Sequence, residues 1–145
     1  MANLTFNISL GRVNEKIADA NTNVGLLLLK AAEADATLRT RATVAAILAE
    51  AGNTECDFTN YARKTGLTGS VTVDNVNHRG DSDLPDQTFT SAGGALNNDI
   101  VKAIVFYEDS ASDAGRVPLT MQDFVLTTDG TDLIVQINVF YRAQG

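Results

Sequence analysis

Residues 123–142, DFVLTTDGTDLIVQINVFYR, carry the strongest secondary-structure signal in this chain. The dipeptide Asp129-Gly130 favours the positive φ angles of a two-residue type I′ turn, a common connection in β-hairpins. After this dipeptide, apolar side chains recur at every second position, as in a half-buried strand: Leu133, Val135, Ile137, Val139 and Tyr141. The sequence therefore predicts an antiparallel hairpin that joins residues 123–128 to residues 131–142.

Residues 100–107 predict a strand that is covered on both faces. Side chains of both parities are apolar in this segment, which is typical of a central strand in a sandwich. The β-branched triplet Val71–Val73 and the segment Gln87–Thr90 predict two shorter strands, with a polar turn region at residues 74–83 between them. From residue 57 onward we therefore expect β-structure.

The segment that follows residue 23 is ambiguous between helix and strand. Its content of Leu, Ala, Glu and Lys favours one long helix by propensity. However, Leu26–Leu29 is apolar at every position, which also fits a strand that is buried on both faces. We interpret residues 24–31 as a strand.

A short helix is predicted over residues 43–51. Thr43 can cap it, and the apolar residues that follow have helical spacing: Val44, Ile47, Leu48 and Ala51. Gly52 lies where a left-handed residue would end the helix.

The N-terminal part predicts a strand followed by an arm. In Asn3–Leu10 the apolar residues share one parity, which is the two-residue period of a strand: Leu4, Phe6, Ile8 and Leu10. Residues 11–23 are polar and turn-prone and predict an irregular arm or loop. The expected fold class is mainly β, an antiparallel β-sandwich with one short α-helix and an N-terminal strand and arm. The expected organisation is a strand and arm over residues 1–23 and a single β-sandwich domain over residues 24–145.

Composition and charge argue against two classes of partner. The chain has 145 residues and a formal net charge of −7, and its 11 Lys and Arg residues are scattered. Because nucleic-acid binding requires a clustered cationic surface, we expect no nucleic-acid partner. No run approaches the eighteen or so apolar residues of a membrane span, so we expect no membrane partner. An acidic surface instead favours docking onto basic patches of another protein.

Residue types that commonly carry chemistry form no recognisable site. The chain has one histidine, His78, and one cysteine, Cys56, whereas a zinc site needs several such ligands at fixed spacing. The acidic loop at residues 74–86 lacks the EF-hand order of calcium ligands, and turn-forming residues explain its composition. No nucleophile elbow or phosphate-binding loop occurs. We therefore predict no catalytic, cofactor-binding or metal-binding residues, no cofactor and no enzymatic activity.

Two short features have alternative interpretations. We interpret Cys56 as a buried small hydrophobic residue; the alternative is a thiol that meets its copy across an oligomer interface. Arg79–Asp81 matches the tripeptide that integrins recognise, but an acidic, turn-rich loop produces this sequence by chance, so we interpret it as structural. The aromatic residues predicted as packing anchors are Tyr61, Phe89, Tyr107, Phe124 and Phe140.

A set of short motifs occurs in order along residues 24–143. They are LLLLK (26–30), EADATL (33–38), NTE (53–55), FTNYARKT (58–65), VTVD (71–74), DQTF (86–89), GGA (93–95), VPLT (117–120), DF (123–124), TTDG (127–130) and FYRA (140–143). As an ordered set these motifs resemble a family of small virion proteins found among the structural genes of tailed phages. The resemblance implies a β-sandwich that assembles on a phage head or tail, and it implies no catalytic residues. It does not extend to residues 1–23.

We expect a structural protein of the virion, made in the cytoplasm of the host bacterium, with phage capsid or tail proteins as partners and a homo-oligomeric state. The leading hypothesis is a capsid decoration or accessory protein that stabilises the head through many weak, repeated contacts. The arm over residues 1–23 could reach a neighbour by pairing along an exposed strand edge. The alternatives are a tail, neck or fibre-associated protein and a host-surface carbohydrate-binding module. The latter is disfavoured because aromatic residues make up only 6% of the chain, with no Trp.

Overall fold

The leucine run at residues 26–29 lies at the centre of the largest sheet. The computed structural model describes residues 3–19 and 23–145. Its strands are β1 (Leu4–Thr5), β2 (Val24–Ala31), β3 (Thr54–Glu55), β4 (Lys64–Leu67), β5 (Ser70–Asp74), β6 (Arg79–Leu84), β7 (Gln87–Phe89), β8 (Asp99–Glu108), β9 (Arg116–Thr127), β10 (Leu133–Val135) and β11 (Asn138–Gln144). The helices are α1 (Val13–Asp19), α2 (Asp35–Leu38) and α3 (Val44–Leu48), with 3₁₀ turns at Asn7–Ser9 and Asp113–Gly115. The predicted strand at residues 24–31 is therefore confirmed with the same bounds.

The strands of the described residues form three antiparallel sheets. The large sheet has the order β1-β9-β8-β2-β3, and β4 also pairs with β2. A three-stranded sheet has the order β11-β6-β5, and a two-stranded sheet pairs β10 with β7. All pairings within them are antiparallel. The predicted fold class, mainly β with antiparallel packing and few helices, is confirmed.

Two hydrophobic cores lie on opposite faces of the large sheet. Successive side chains of a strand point to opposite faces; accordingly Leu26 and Leu28 belong to one core, whereas Leu27 and Leu29 belong to the other. The strand β8 is divided in the same way, with Val105 in the first core and Ile104 in the second. This explains why both strands are apolar at nearly every position, as the sequence predicted for residues 100–107.

Different elements cover the two faces. The first core is closed by the two smaller sheets and by α1, which contributes Val13 and Ile17. The second core is closed by Phe6 together with α2 and α3, which contribute Leu38, Val44 and Ile47. The large sheet is therefore the shared middle layer of the molecule.

The predicted hairpin around Asp129-Gly130 is wrong. The strand before this turn, β9, pairs with β8 and β1, whereas β10 pairs with β7 and β11 pairs with β6. Gly130 has a φ of 95°, but Asp129 does not have a positive φ, so the turn is not of type I′. The chain bends at Gly130 and Thr131, but it passes there from the large sheet to a smaller sheet instead of pairing with itself.

Two expectations for the N-terminal part also need correction. The strand predicted over residues 3–10 is reduced to Leu4–Thr5, because the chain turns into a 3₁₀ helix after Phe6. Residues 13–19, predicted as part of an irregular arm, form helix α1, whose apolar residues Val13 and Ile17 are fully buried. The prediction for residues 20–22 lies outside the described residues.

The helix predicted over residues 43–51 is confirmed but shorter. It spans Val44–Leu48, and the Thr43 side chain caps it by accepting a hydrogen bond from the backbone N–H of Ala46 at 3.0 Å. Gly52 does not adopt the predicted left-handed conformation; the helix ends instead at Ala49, which keeps a right-handed helical φ.

The structure also contains helix α2, which the sequence did not predict, and a strand, β6, in most of the region predicted as a turn over residues 74–83. Helix α2 is anchored by Lys102, a nearly buried residue of β8 whose ammonium group binds Asp35 on α2 and lies 2.6 Å from a carboxylate oxygen of Asp123. The polar region predicted as a turn over residues 74–83 contains most of β6, so the actual turn is confined to residues 75–78.

Candidate functional site

The residue types that commonly bind metal ions do not come together. His78 lies exposed in the β5–β6 turn with a φ of 52°, whereas Cys56 is buried in the first core. Among residues 3–19 and 23–145, no three or more His, Cys, Asp or Glu side chains are grouped so that they could hold a metal ion.

The acidic residue at the start of that turn has an internal structural role. The Asp74 carboxylate accepts hydrogen bonds from the backbone N–H groups of Val76 and Asn77, both at 3.1 Å, and from the Asn77 side chain at 2.7 Å. These hydrogen bonds hold the pKa of Asp74 below its usual range, and those from Asn77 have the largest effect. The turn therefore uses its acidic side chain to satisfy its own backbone donors.

Cys56 is enclosed by the protein interior. Its side chain is 3% exposed, and burial raises the pKa of the thiol to about 12. A thiol in this environment stays protonated near neutral pH and is a poor nucleophile. The geometry agrees with our interpretation of Cys56 as a small hydrophobic core residue.

The tripeptide Arg79–Asp81 lies within a strand and not in a presented loop. It forms the first half of β6, which is paired with β5 on one side and β11 on the other. Arg142 of β11 donates two hydrogen bonds to the Asp81 carboxylate, at 2.7 and 3.0 Å. These two hydrogen bonds are the main reason that the pKa of Asp81 lies below its ordinary value. The carboxylate is thus engaged internally, which supports the structural interpretation.

The predicted packing anchors are part of the first core. Phe89 and Phe140 are buried, and the other three, Tyr61, Tyr107 and Phe124, are partly buried against the same core. Tyr61 stacks on Phe89 with 5.8 Å between ring centroids. Its hydroxyl donates to Glu55 at 2.8 Å and accepts from the Leu28 backbone N–H at 3.2 Å. Burial raises the pKa of Tyr61 well above its ordinary value. These aromatic residues therefore hold the sheets together.

The most distinctive surface lies between two open strand edges. Strand β9 is paired with β8 along most of its length, but on its other side β1 pairs only with Thr120 and Met121. Strand β11 is paired with β6 on one side only. Within the described part of the chain, residues 123–127 of β9 and all of β11 thus have no second partner strand. Such an edge presents unpaired backbone N–H and C=O groups in a row.

A groove runs between these two edges; we call it the edge groove. Along one stretch its walls are Asn3, Gln122, Phe124, Ile134, Gln136, Ile137 and Val139. It continues past Asn3 along Thr5 and residues 139–142. Its two sides are the strands that the sequence predicted to pair as a hairpin. They lie in different sheets and leave an open groove between them.

Exposed aliphatic side chains cluster along the edge groove. Ile134, which is 53% exposed, and Val139, which is 40% exposed, both line this groove. Exposed apolar residues that occur singly are ordinary, but a cluster beside an unpaired strand edge is typical of an interaction surface. The groove offers backbone hydrogen bonds and apolar contacts, and it presents no cluster of titratable groups. It is therefore suited to binding an extended segment of another protein.

Sequence reasoning missed this surface because it depends on sheet topology. The predicted apolar alternation holds for Leu133, Val135 and Ile137, which are buried, but the segment breaks into two strands at residues 136–137, and beyond the break Phe140 is buried while Val139 is exposed. The pattern also does not reveal which strands become neighbours. An unpaired edge becomes visible only when every partner strand is known.

Comparisons with known proteins add no relative. No family model matches the chain, and no curated protein and no solved structure matches it either. No described helix is long and apolar enough to cross a membrane.

Proposed function

We propose that this chain is a non-enzymatic structural protein of a tailed bacteriophage particle, made in the host cytoplasm and incorporated into the virion as a decoration or accessory protein of the head. The ordered set of motifs along residues 24–143 points to this class of protein. The structural observation that supports a role in attachment is the edge groove with its exposed aliphatic side chains. The partners in this proposal are repeated subunits of the phage shell.

The physical basis of the attachment is strand pairing combined with apolar burial. An extended segment of a shell subunit adds along the open edge of β9 or β11, so that main-chain hydrogen bonds provide binding energy and aliphatic contacts provide register. The net charge of −7 adds attraction to basic patches on the shell. Each contact is weak, but repetition over a lattice of identical sites gives strong overall retention.

A tail, neck or fibre-associated protein is the alternative within the same class. It would use the same fold and the same groove with a different partner, so only its location in the particle separates it from the leading proposal. A carbohydrate-binding role receives no support from the surface. Sugars stack on exposed aromatic rings, and the large exposed hydrophobic residues of the described chain are all aliphatic.

A charge placed in the groove tests the proposal. Val139 lines the groove on β11. In Val139→Arg, the new side chain must be desolvated or displaced when a partner strand covers the edge. We expect particle binding to weaken by about tenfold or more, because an unpaired charge in an interface costs more than one hydrogen bond. Binding is measured by co-sedimentation with particles that lack this protein.

The matched control is Val73→Arg. Val73 is also a strand valine, 68% exposed, but it lies on β5 and away from the edge groove. We expect this variant to bind like the unmodified chain, and both variants to keep its thermal midpoint. Equal binding by Val139→Arg and the unmodified chain would refute the groove as the attachment surface.

A further inference from the structure

The N-terminal segment, residues 3–10, uses only part of its strand pattern. Its apolar residues alternate over eight positions, but the segment pairs with β9 only through Leu4 and Thr5. Beyond Phe6 the chain coils into the 3₁₀ turn, which leaves Ile8 39% exposed and Leu10 57% exposed. Two apolar residues of a strand-like pattern therefore lie on the surface.

The segment is nevertheless bound firmly to the rest of the molecule. Phe6 is fully buried in the second core, and its backbone N–H donates to the Leu119 carbonyl at 3.1 Å. The backbone N–H of Asn7 donates to the Arg39 carbonyl at 2.8 Å, and the Arg39 guanidinium donates to the side-chain oxygen of Asn7 at 3.1 Å. The Ser9 hydroxyl donates to the Pro118 carbonyl at 2.7 Å.

Every one of these contacts joins the segment to the body of the fold. The residues that surround Phe6 in the second core, apart from Leu4, all lie between residues 27 and 121. The binding site is therefore complete without the segment, and an identical segment from another copy of the chain satisfies it equally well.

The connection that follows the segment is suited to two conformations. Helix α1 belongs to the first core, on the opposite face of the large sheet from Phe6. The segment can therefore leave the second core while α1 stays in place. Gly11 joins them with a φ of +74°, and no atom lies within 4 Å of the position where a Cβ would stand. Glycine adopts this turn and an extended conformation with similar ease.

We propose that residues 3–10 exchange between copies of this chain: the segment of one copy occupies on a second copy the site that it occupies here on its own chain. Gly11 extends in the exchanged form, and Ile8 and Leu10 contact the neighbouring copy. Short connections favour such exchange. It becomes prevalent where copies are concentrated, because the intramolecular arrangement has the advantage of a high effective concentration only when copies are dilute.

Disulfide trapping distinguishes the two arrangements. Thr5 and Thr120 are directly opposite each other in the β1–β9 pairing, and Cα atoms of opposed antiparallel residues lie about 4.5–5.5 Å apart, within the range of a disulfide. The variant combines Thr5→Cys, Thr120→Cys and Cys56→Ala. Isotopically heavy and light preparations are mixed, concentrated and then oxidised.

Mass spectrometry of the linked peptide gives the result. Exchange predicts peptides in which residue 5 comes from a heavy chain and residue 120 from a light chain, or the reverse, in increasing amount as concentration rises. Variants with only one of the two new cysteines control for random collision. Linked peptides that always carry a single label, at every concentration, would overturn the proposal.

A hinge variant provides a second test. In Gly11→Val the added side chain meets no neighbour, but a β-branched residue disfavours a positive φ. We expect the exchanged fraction to rise by about tenfold, because a left-handed conformation is costly for such a residue. An unchanged or smaller mixed-label fraction counts against the hinge. These tests use the purified chain alone, so their failure would leave the proposed role on the phage head untouched.

Discussion

Phe6 is the residue that fastens the N-terminal segment to the second core. Its fully buried ring fills a space between the large sheet and helices α2 and α3. We expect Phe6→Ala to lower the free energy of unfolding by about 3 kcal/mol, the lower end for removing a buried phenyl ring. Urea denaturation followed by circular dichroism measures the change.

Ile8→Ala is the matched control for this prediction. Ile8 belongs to the same segment but is substantially exposed in the isolated chain, so its truncation should change stability by less than about 0.5 kcal/mol. Equal losses from the two substitutions would mean that Phe6 does not anchor the segment.

Cys56 gives a prediction about reactivity. Burial raises the pKa of its thiol to about 12, compared with about 8.5 for a free cysteine. At pH 8 we expect alkylation of the native protein to be more than about a hundredfold slower than alkylation of the urea-unfolded chain, because only the thiolate reacts. Rapid labelling of the native protein would show that the thiol is accessible, as the interface alternative requires.

The same pKa difference predicts an alkaline loss of stability. The folded state holds the Cys56 proton more tightly than the unfolded state, so its contribution is fully present below about pH 8.5 and is lost as the pH rises toward 12. We expect the urea midpoint to fall between pH 8 and pH 10, and to fall less in Cys56→Ala. An identical decrease in both proteins would assign the loss to other groups, such as Tyr61.

Residue-scale features were predicted well where local chemistry determines them. The Thr43 cap, the turn chemistry of Asp74 and the core position of Phe89 follow from side-chain type and nearby sequence. The position of Val139 in the groove does not, because an exposed valine and a buried valine look the same until the neighbouring strands are known.

An ion-pair network joins elements that are far apart in sequence. Arg63, which precedes β4, donates two hydrogen bonds of 2.6 Å to Glu55 of β3 and also binds Asp113 in the second 3₁₀ turn. All three side chains are largely shielded from solvent. We expect Arg63→Ala to reduce the free energy of unfolding by about 2 kcal/mol, because charged hydrogen bonds that are partly buried exceed surface pairs in strength.

Arg142→Ala controls for the loss of any bidentate arginine. Its partner is Asp81, but Arg142 is more exposed than Arg63, so the loss of stability should be clearly smaller.

Arg63 is also the main cause of the lowered pKa of Asp113. The contribution of this pair is therefore present above about pH 4 and is lost at lower pH. The difference in the free energy of unfolding between Arg63→Ala and the unmodified protein should therefore shrink toward pH 3. A difference that stays constant with pH would contradict a contribution from the Arg63–Asp113 pair.

Elements were predictable when their pattern reported burial directly. The doubly covered strands β2 and β8 followed from their apolar runs. Helix α1 was missed because seven residues make a marginal helix in isolation, and burial of Val13 and Ile17 stabilises it only in the folded chain. The predicted hairpin is wrong for a related reason: Asp129-Gly130 favours a bend in the chain, whereas the pairing of β9 with β8 is decided by the packing of the whole sheet.

At the scale of the whole molecule, one sheet separates two cores and leaves an open groove at its edge. This arrangement gives the chain two surfaces for association, the edge groove and the site that holds the N-terminal segment. An acidic surface and repeated weak contacts suit a protein that covers a regular lattice. The proposed virion role rests on the motif resemblance, and the groove is the proposed surface of attachment.

Imaging of the intact phage particle with this protein labelled tests the central proposal most directly. We predict label distributed evenly over the head, at positions that repeat with the shell lattice. Label confined to the tail or neck would contradict a head decoration role in favour of the alternative. The absence of label from the particle would contradict the virion role altogether.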